Sequence, residues 1–208
     1  MKVPFALGTL VVASLILYRG PAAADECTVQ AVTIEHERNL PAGLLHAVAM
    51  VESSYHGRPQ PYALRIGGRS IYPTNFDLAA RRLRAALEQG RTNINAGCMQ
   101  LSLEHHGAAF EPVEKILEPP GNIRRAAGLL LAFRREFGGW TAALAHYQGG
   151  SEQQQAHYIC QVWRYLRILA PASASQIDAR HCRNKRAPSV SSAVVRQAHD
   201  LRRKLSGG

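Results

Sequence analysis

An apolar run that precedes all four cysteines of the chain constrains its fold more than any other feature. The run spans residues 5–17, follows Lys2 and is followed by three alanines at 22–24. A positive residue, a short apolar core and small residues in this order are typical of an export signal, so we predict a signal peptide over residues 1–24. The run is too short to cross a bilayer comfortably.

Export would place the rest of the chain in an oxidising compartment, where an even number of cysteines indicates disulfides. We therefore predict two disulfides among Cys27, Cys98, Cys160 and Cys182. Three pairings are open, of which we favour Cys160 with Cys182, because this bond would close a local loop and tie the C-terminal segment to the body. No CxxC is present, so the sequence indicates neither a zinc ribbon nor a thioredoxin-like motif.

Apolar residues recur at helical spacing over residues 25–169, which predicts one mainly α domain that begins with a short helix around Val29. Capping residues and a proline mark where later helices begin. The predicted starts are Pro41, Thr74 or Asn75, Asn122 and Ser151, and the residues predicted to face inward include Leu87 and Phe137.

One segment departs from the helical pattern. Tyr62, Leu64 and Ile66 stand at every second position before Gly67-Gly68, and Ile71 and Tyr72 follow the glycines. A two-residue glycine turn between alternating runs predicts a small β-hairpin.

The chain is basic, with a net charge of +10. Residues 170–208 contribute much of this charge, because they contain eight basic and only two acidic side chains. We predict a linker and a basic tail there, in which residues 192–205 could form a frayed helix. Such a charge favours polyanionic surroundings, such as nucleic acid, an anionic membrane surface or a cell wall.

Three short motifs contain side chains suited to catalysis or substrate binding. The first is Glu52-Ser53, at the end of an apolar helical run. A carboxyl group there loses part of its hydration, which raises its pKa and favours the protonated form of a general acid. Ser53 could hydrogen-bond this carboxyl group or a substrate hydroxyl.

The second motif is Gly97-Cys98-Met99-Gln100. Gly97 allows close approach of the backbone, Met99 offers a flexible apolar wall, and Gln100 offers both a donor and an acceptor. The set suits an amide-bearing sugar.

The third motif is His146-Tyr147-Gln148-Gly149, where a predicted helix ends in an aromatic and an amide side chain before glycine. Glycine is common just after a helix C terminus, so this motif becomes informative only beside the other two.

Together, glutamate-serine, glycine-x-methionine-glutamine and alanine-x-tyrosine-x-x-glycine resemble, in this order, the lytic transglycosylases with a soluble lytic transglycosylase (SLT), goose-type lysozyme-like domain. Tyr158 and Val162 resemble the closing tyrosine-valine helix of that family. The resemblance covers residues 27–169. The hairpin segment, residues 61–72, looks like the small exported branch that accompanies envelope-spanning secretion machines.

The resemblance implies a lysozyme-like helical fold with a groove for a peptidoglycan strand. Glu52 matches the family's catalytic carboxyl group, which protonates the oxygen between N-acetylmuramic acid and N-acetylglucosamine and then helps the C6 hydroxyl attack C1. A 1,6-anhydro sugar forms without water, and no cofactor or metal is implied. The substrate-binding residues that the resemblance implies are Ser53, Gly97, Met99, Gln100, Tyr147 and Gln148, of which Tyr147 would position Glu52 or the acetamido group.

Three positions depart from the family pattern. Gln148 stands where the family usually has Asn, so its amide is carried one methylene further. His146 and Cys98 stand where a small and an aliphatic residue are commoner. These differences concern the outer sites and leave the acid in place.

Alternatives from other classes stay open at this point. A goose-type hydrolase would use water and a second acid, for which Asp77 and Glu104 are conceivable. A non-catalytic wall-binding assembly factor could act through the basic tail. A cysteine peptidase would pair Cys98 with a histidine, for which the candidates are His105, His106 and His146.

We expect a monomer exported to the periplasm of a Gram-negative bacterium. The expected partners are peptidoglycan strands and components of a secretion, conjugation or flagellar apparatus, with electrostatic contact to the wall or a membrane surface through the tail. Nucleic-acid binding is not expected, because no module for it is present. Adjacent histidines such as His105 and His106 point about 100° apart on a helix, so no metal site is predicted.

Overall fold

The structure is a computed structural model that describes residues 23–182 and 187–207. Most of the predicted signal peptide, residues 1–22, lies outside the described residues. The described chain is mainly helical with small antiparallel sheets, as predicted. Its helices are α1 (Ala23–Glu37), α2 (Leu44–Ser53), α3 (Phe76–Glu88), α4 (Leu103–His106), α5 (Pro119–Phe137), α6 (Trp140–Gln148), α7 (Glu152–Leu169) and α8 (Ser192–Ser206).

Short strands form two antiparallel sheets. A two-stranded sheet follows α2 directly and pairs β1 (Ser54–Tyr55) with β2 (Arg58–Pro59). The larger sheet has the strand order β4-β3-β5-β6. Its strands are β3 (Leu64–Ile66), β4 (Arg69–Ile71), β5 (Ile94–Ala96) and β6 (Leu101–Ser102).

The predicted β-hairpin is confirmed as β3 and β4, with Ile66 opposite Arg69. Gly67 and Gly68 form its turn with φ angles of 55° and 83°. A tight two-residue turn of this kind needs positive φ at both positions, which glycine adopts without steric cost. The sequence did not predict β5 and β6, because strands of three and two residues are too short to show alternation.

Helix α2 lies at the centre of the fold because it is apolar on almost every side. Eight of its ten residues are buried, and it packs against α1 and α7. A helix buried on all faces needs partners on all faces. Its last turn therefore carries Glu52 from the core to the edge of the sheets.

Two predicted helix caps are confirmed. The Asn75 side chain accepts a hydrogen bond from the backbone N–H of Leu78 at 2.9 Å and caps α3. Ser151 and Gln154 form a reciprocal capping box at the start of α7. Both caps are local, so the sequence contains all the information that they need.

Helix α2 begins at Leu44 rather than at the predicted Pro41, because a buried carboxylate serves its first turn. Glu35, on α1, accepts hydrogen bonds from the backbone N–H of Gly43 at 2.6 Å and of His46 at 3.0 Å. Gly43 has a φ of 83°. The cap thus comes from another helix, which sequence periodicity does not reveal.

Two residues predicted to face inward are exposed. Leu87 is 38% exposed and Phe137 is 41% exposed. Each lies in the last turn of its helix, beyond the neighbours that cover the earlier turns. Phe137 instead stacks on His146 with ring centroids 3.5 Å apart.

The predicted frayed helix is present as α8, and it belongs to the folded body instead of a free tail. It packs against α1 and buries Val194 and Ala198. Arg202 reaches between the two helices, where it lies 3.7 Å from the Glu35 carboxylate and donates to the Leu169 carbonyl at 2.7 Å. A small cavity of about 220 Å³ lies beside this contact.

The two predicted disulfides are present. Cys27–Cys98 joins α1 to the turn between β5 and β6, and Cys160–Cys182 joins α7 to the segment that follows it. The second pairing is the one that the sequence favoured. Among the described residues, no helix has the length and apolar character that crossing a bilayer requires.

Candidate active site

A cavity of about 520 Å³ lies where α2, the larger sheet and α4 to α6 meet. Four of the predicted site residues line it: Glu52, Gln100, Tyr147 and Gln148. They come from three separate stretches of chain, which the fold brings together. A neighbouring cavity of about 330 Å³ also has Gln148 in its wall. Gln148 therefore lies between two adjoining cavities.

Glu52 is partly buried in the last turn of α2. Its Oε1 accepts a hydrogen bond from the Tyr158 hydroxyl at 2.6 Å. Burial raises the pKa of Glu52 to about 7, although the Tyr158 hydrogen bond and the nearby charge of Arg65 both act to lower it. The carboxyl group can therefore both give and take a proton near neutrality.

Glu52 is the one carboxyl group on the cavity wall among the described residues. The two conceivable second acids, Asp77 and Glu104, are exposed and do not line it. Within the ranges that the structure describes, no second carboxyl group lines the cavity beside Glu52, whereas ordinary glycosidases use a pair.

The Gly97–Gln100 motif forms the turn between β5 and β6. Gly97 has a φ of 82°, and a Cβ there would lie 2.9 Å from the Ile116 carbonyl oxygen and would clash with Asn122. Gln100 has a φ of 45°. Its Nε2 donates to the carbonyls of Ala63 and Gly97, so the donor side of its amide is committed to the protein.

Three predicted substrate-binding residues, Ser53, Gly97 and Met99, are buried and do not line the cavity. Ser53 is 1% exposed and donates to the carbonyls of Ala49 and Cys98. Met99 is fully buried in the core. Ser53 and Met99 therefore help to hold the motifs in place. This arrangement does not show the contact with substrate that was predicted for Ser53, Gly97 and Met99.

Tyr147 lines the cavity but makes no hydrogen bond to Glu52, so it does not position the acid directly, which was one of the two roles predicted for it. Its hydroxyl donates to the Met99 carbonyl at 2.8 Å, which ties α6 to the Gly97–Gln100 turn. Burial, with a smaller effect of the Glu52 charge, raises the pKa of Tyr147 well above its usual value. The tyrosine that contacts the acid is Tyr158, on α7, whose pKa is raised chiefly by burial.

Asn122 is the largest departure from prediction in this region. It does not cap a helix, since α5 begins at Pro119. Its buried amide donates to the carbonyls of Ala96 and Ile116 and accepts from the Met99 backbone N–H at 2.8 Å. Asn122 is therefore a brace beneath the Gly97–Gln100 turn.

Sequence reasoning missed other residues on the cavity wall. Arg65 lies on β3 and Asn95 lies opposite it on β5. The signal for Asn95 was its position beside Gly97, and the signal for Arg65 was its place in the predicted hairpin. Tyr158 was noticed for its likeness to the closing helix, but its spacing gave no reason to pair it with Glu52.

The cysteine-peptidase alternative is wrong, because Cys98 is bonded to Cys27 and no free thiol is present among the described residues. The histidines named for it, His105, His106 and His146, all line the cavity. In the described part of the chain, no group of three or more potential ligands is arranged to hold a metal ion.

Comparison with known proteins finds no matching family model, and no curated protein or solved structure matches the chain. The observations that bear on function are therefore those of the cavity around Glu52. A single buried acid with a pKa of about 7 can protonate a leaving oxygen and then accept a proton from a nucleophile.

Proposed function

We propose that the protein is a peptidoglycan lytic transglycosylase with a lysozyme-like SLT domain. The observation that carries this proposal is the lone carboxyl group of Glu52, which has a pKa of about 7 and is hydrogen-bonded to Tyr158 beside a polar cavity. The resemblance of the three motifs supports the same conclusion. The two adjoining cavities on either side of Gln148 suit a polymer that extends past the acid.

The reaction needs only one protein acid. The protonated Glu52 gives its proton to the glycosidic oxygen after N-acetylmuramic acid while the bond from C1 to that oxygen breaks. The ionised Glu52 then accepts the proton of the C6 hydroxyl as O6 bonds to C1. The product is a 1,6-anhydro sugar, and Glu52 returns to its protonated state without consuming water.

The same proposal implies a cellular compartment and a role in the cell envelope. The protein would be exported to the periplasm, where its disulfides are stable. Without residues 1–24, which contain Lys2 and Arg19 but no acidic side chain, its net charge would be +8, which would retain it near the anionic cell wall. We propose that it opens the wall locally for an envelope-spanning secretion, conjugation or flagellar apparatus.

The decisive experiment is mass spectrometry of the fragments that the purified protein releases from purified peptidoglycan. The protein is expected to release 1,6-anhydro fragments, each one water lighter than a hydrolysis product. Glu52→Gln should lower their release by at least about 100-fold, the scale of general acid catalysis. Glu104→Gln, which changes an exposed glutamate off the cavity wall, is the matched control and should retain full activity.

Two outcomes would contradict the proposal. Fragments with reducing ends would make the protein a goose-type hydrolase. No release from any form of the wall, with or without peptide stems, would favour a wall-binding assembly factor.

A further inference from the structure

The sheet that walls the cavity is basic and carries no acidic side chain. Residues 53–76, which include β1 to β4, contain Arg58, Arg65 and Arg69 but no Asp or Glu. Residues 89–103, which include β5 and β6, contain Arg91 and again no acid. A wall with charges of one sign attracts ligands of the opposite sign.

Arg65 is the one of these arginines that lines the cavity with Glu52. It is exposed in the middle of β3, between Ser70 on β4 and Asn95 on β5. Its charge acts on Glu52 and lowers the pKa of that carboxyl group. The strand register thus holds a guanidinium group at a fixed position beside the acid.

Arg65 differs from the arginines elsewhere in the described chain that have carboxylate partners. Arg84 pairs with Glu114, and Arg124 pairs with Glu37. Within residues 23–182 and 187–207, the Arg65 guanidinium has no ion pair and no hydrogen bond. Its donors are therefore available to a ligand in the cavity.

We propose that Arg65 binds a carboxylate carried by the glycan, so that the cavity selects acidic glycan strands over neutral ones. This inference rests on the proposed function and names the feature of the substrate that its site reads. A guanidinium group binds a carboxylate through two parallel hydrogen bonds, which fixes orientation as well as charge. The bound carboxylate would hold the sugar in register with Glu52.

A carboxylate can reach Arg65 from two sources on peptidoglycan. A strand without peptides presents the lactyl carboxylate of N-acetylmuramic acid itself. A strand with peptides presents the carboxylates of its stem. The chemistry at Arg65 is the same for both, so the ligands in the test must separate them.

The test measures binding by calorimetry in the full protein with Glu52→Gln, which prevents cleavage. Three oligomers of equal length serve as ligands: neutral N-acetylglucosamine, peptide-free muramyl glycan and peptide-bearing muramyl glycan. We expect at least one acidic glycan to bind more tightly than the neutral oligomer. Adding Arg65→Gln should weaken that binding about tenfold, the scale of a charge-assisted hydrogen bond, and leave the neutral oligomer unchanged.

Two further variants complete the design. Arg65→Lys keeps the charge but loses the paired donors, and it should recover only part of the affinity. Arg82→Gln changes an exposed arginine on α3, outside the cavity wall, and should have no effect. Loss confined to one acidic ligand identifies the source of the carboxylate.

The inference is overturned if Arg65→Gln leaves the binding of acidic glycans unchanged, weakens all three ligands equally, or if no ligand binds. These results are separate from the cleavage test. Anhydro products with an indifferent Arg65 reject the inference alone, whereas Arg65-dependent binding without anhydro products rejects only the proposed reaction.

Discussion

At the scale of single residues, the acidity of Glu52 results from opposing neighbours. Burial raises its pKa, while the Tyr158 hydroxyl and the Arg65 charge favour the ionised form and limit the rise to about 7. Glu52 itself was predictable, because an apolar helical run ends there. Tyr158 was not, because its contact with Glu52 spans 106 positions and depends on how α7 packs against α2.

Tyr158→Phe should raise the pKa of Glu52, because the variant removes a hydrogen bond that stabilises the ionised form. The alkaline limb of the pH profile of kcat/KM, which falls as the general acid ionises, is expected to move up by about one pH unit. Tyr165→Phe is the control, since Tyr165 lies on the same helix but bonds to Ser54. An unshifted limb in Tyr158→Phe would contradict this role.

Glu35 should make the protein less stable as the pH rises. Burial raises its pKa from 4.5 to about 7, so the folded state keeps a proton that the unfolded state loses. Its contribution is complete below pH 4.5 and is lost as the pH rises to about 7, with a total near 3 kcal/mol.

Urea unfolding at pH 4.5 and 7.5 tests this prediction. The difference in unfolding free energy between the wild type and Glu35→Gln should shift by about 3 kcal/mol in favour of the variant at the higher pH. Glu88→Gln, at an exposed site on α3, should show a constant difference. A constant difference for Glu35→Gln as well would mean that its pKa is not raised.

At the scale of elements, the turn between β5 and β6 depends on a helix that lies far from it in sequence. Asn122, on α5, bonds to the backbone at Ala96 and Met99 and leaves no room for a side chain at Gly97. The sequence predicted a glycine-dependent turn but assigned Asn122 to a cap. An asparagine near a helix start looks the same whether its amide serves its own helix or another element.

Asn122→Ala should destabilise the protein by about 2–4 kcal/mol, because it leaves three buried backbone groups without partners. Cleavage should fall further than stability explains, since Gln100 and the Met99 carbonyl both belong to the turn. Urea unfolding and the peptidoglycan assay measure the two effects. Asn93→Ala, at an exposed site in the loop before β5, should stay within about 0.5 kcal/mol of the wild type.

The elements that the sequence predicted well are those specified by their own residues. The Gly67-Gly68 hairpin and the caps at Asn75 and Ser151 need only local geometry. The start of α2 was placed too early because Glu35 determines it across a helix boundary. In the same way, four of the predicted site residues line the cavity, while Ser53, Gly97 and Met99 are buried because the folded motifs turn them inward.

At the scale of the whole molecule, α1 connects parts of the chain that lie far apart in the sequence. The Cys27–Cys98 disulfide links it to the turn beside the active site. It also packs against α8, where Glu35 meets Arg202. The prediction of a tail missed this packing because α8 is mostly polar and buries only Val194 and Ala198 among its side chains.

Removing either disulfide should destabilise the fold, but only one should disturb the active site. A loop of 71 residues makes Cys27–Cys98 worth about 4 kcal/mol, and one of 22 residues makes Cys160–Cys182 worth about 3 kcal/mol. The double Cys→Ser variants form a matched pair for thermal unfolding and the cleavage assay. We expect reduced cleavage from the folded Cys27–Cys98 variant alone, because Cys98 precedes Met99 and Gln100.

The pairing of α1 with α8 also has a consequence for the order of synthesis. A ribosome makes α1 first and α8 last among the described helices, and at 5–20 residues per second about ten to thirty seconds separate them. During that interval Glu35 lacks its ion-pair partner Arg202, and the surface of α1 that α8 will cover stays exposed to solvent. A chain that ended before α8 would leave this surface of α1 exposed to solvent and open to attack by proteases.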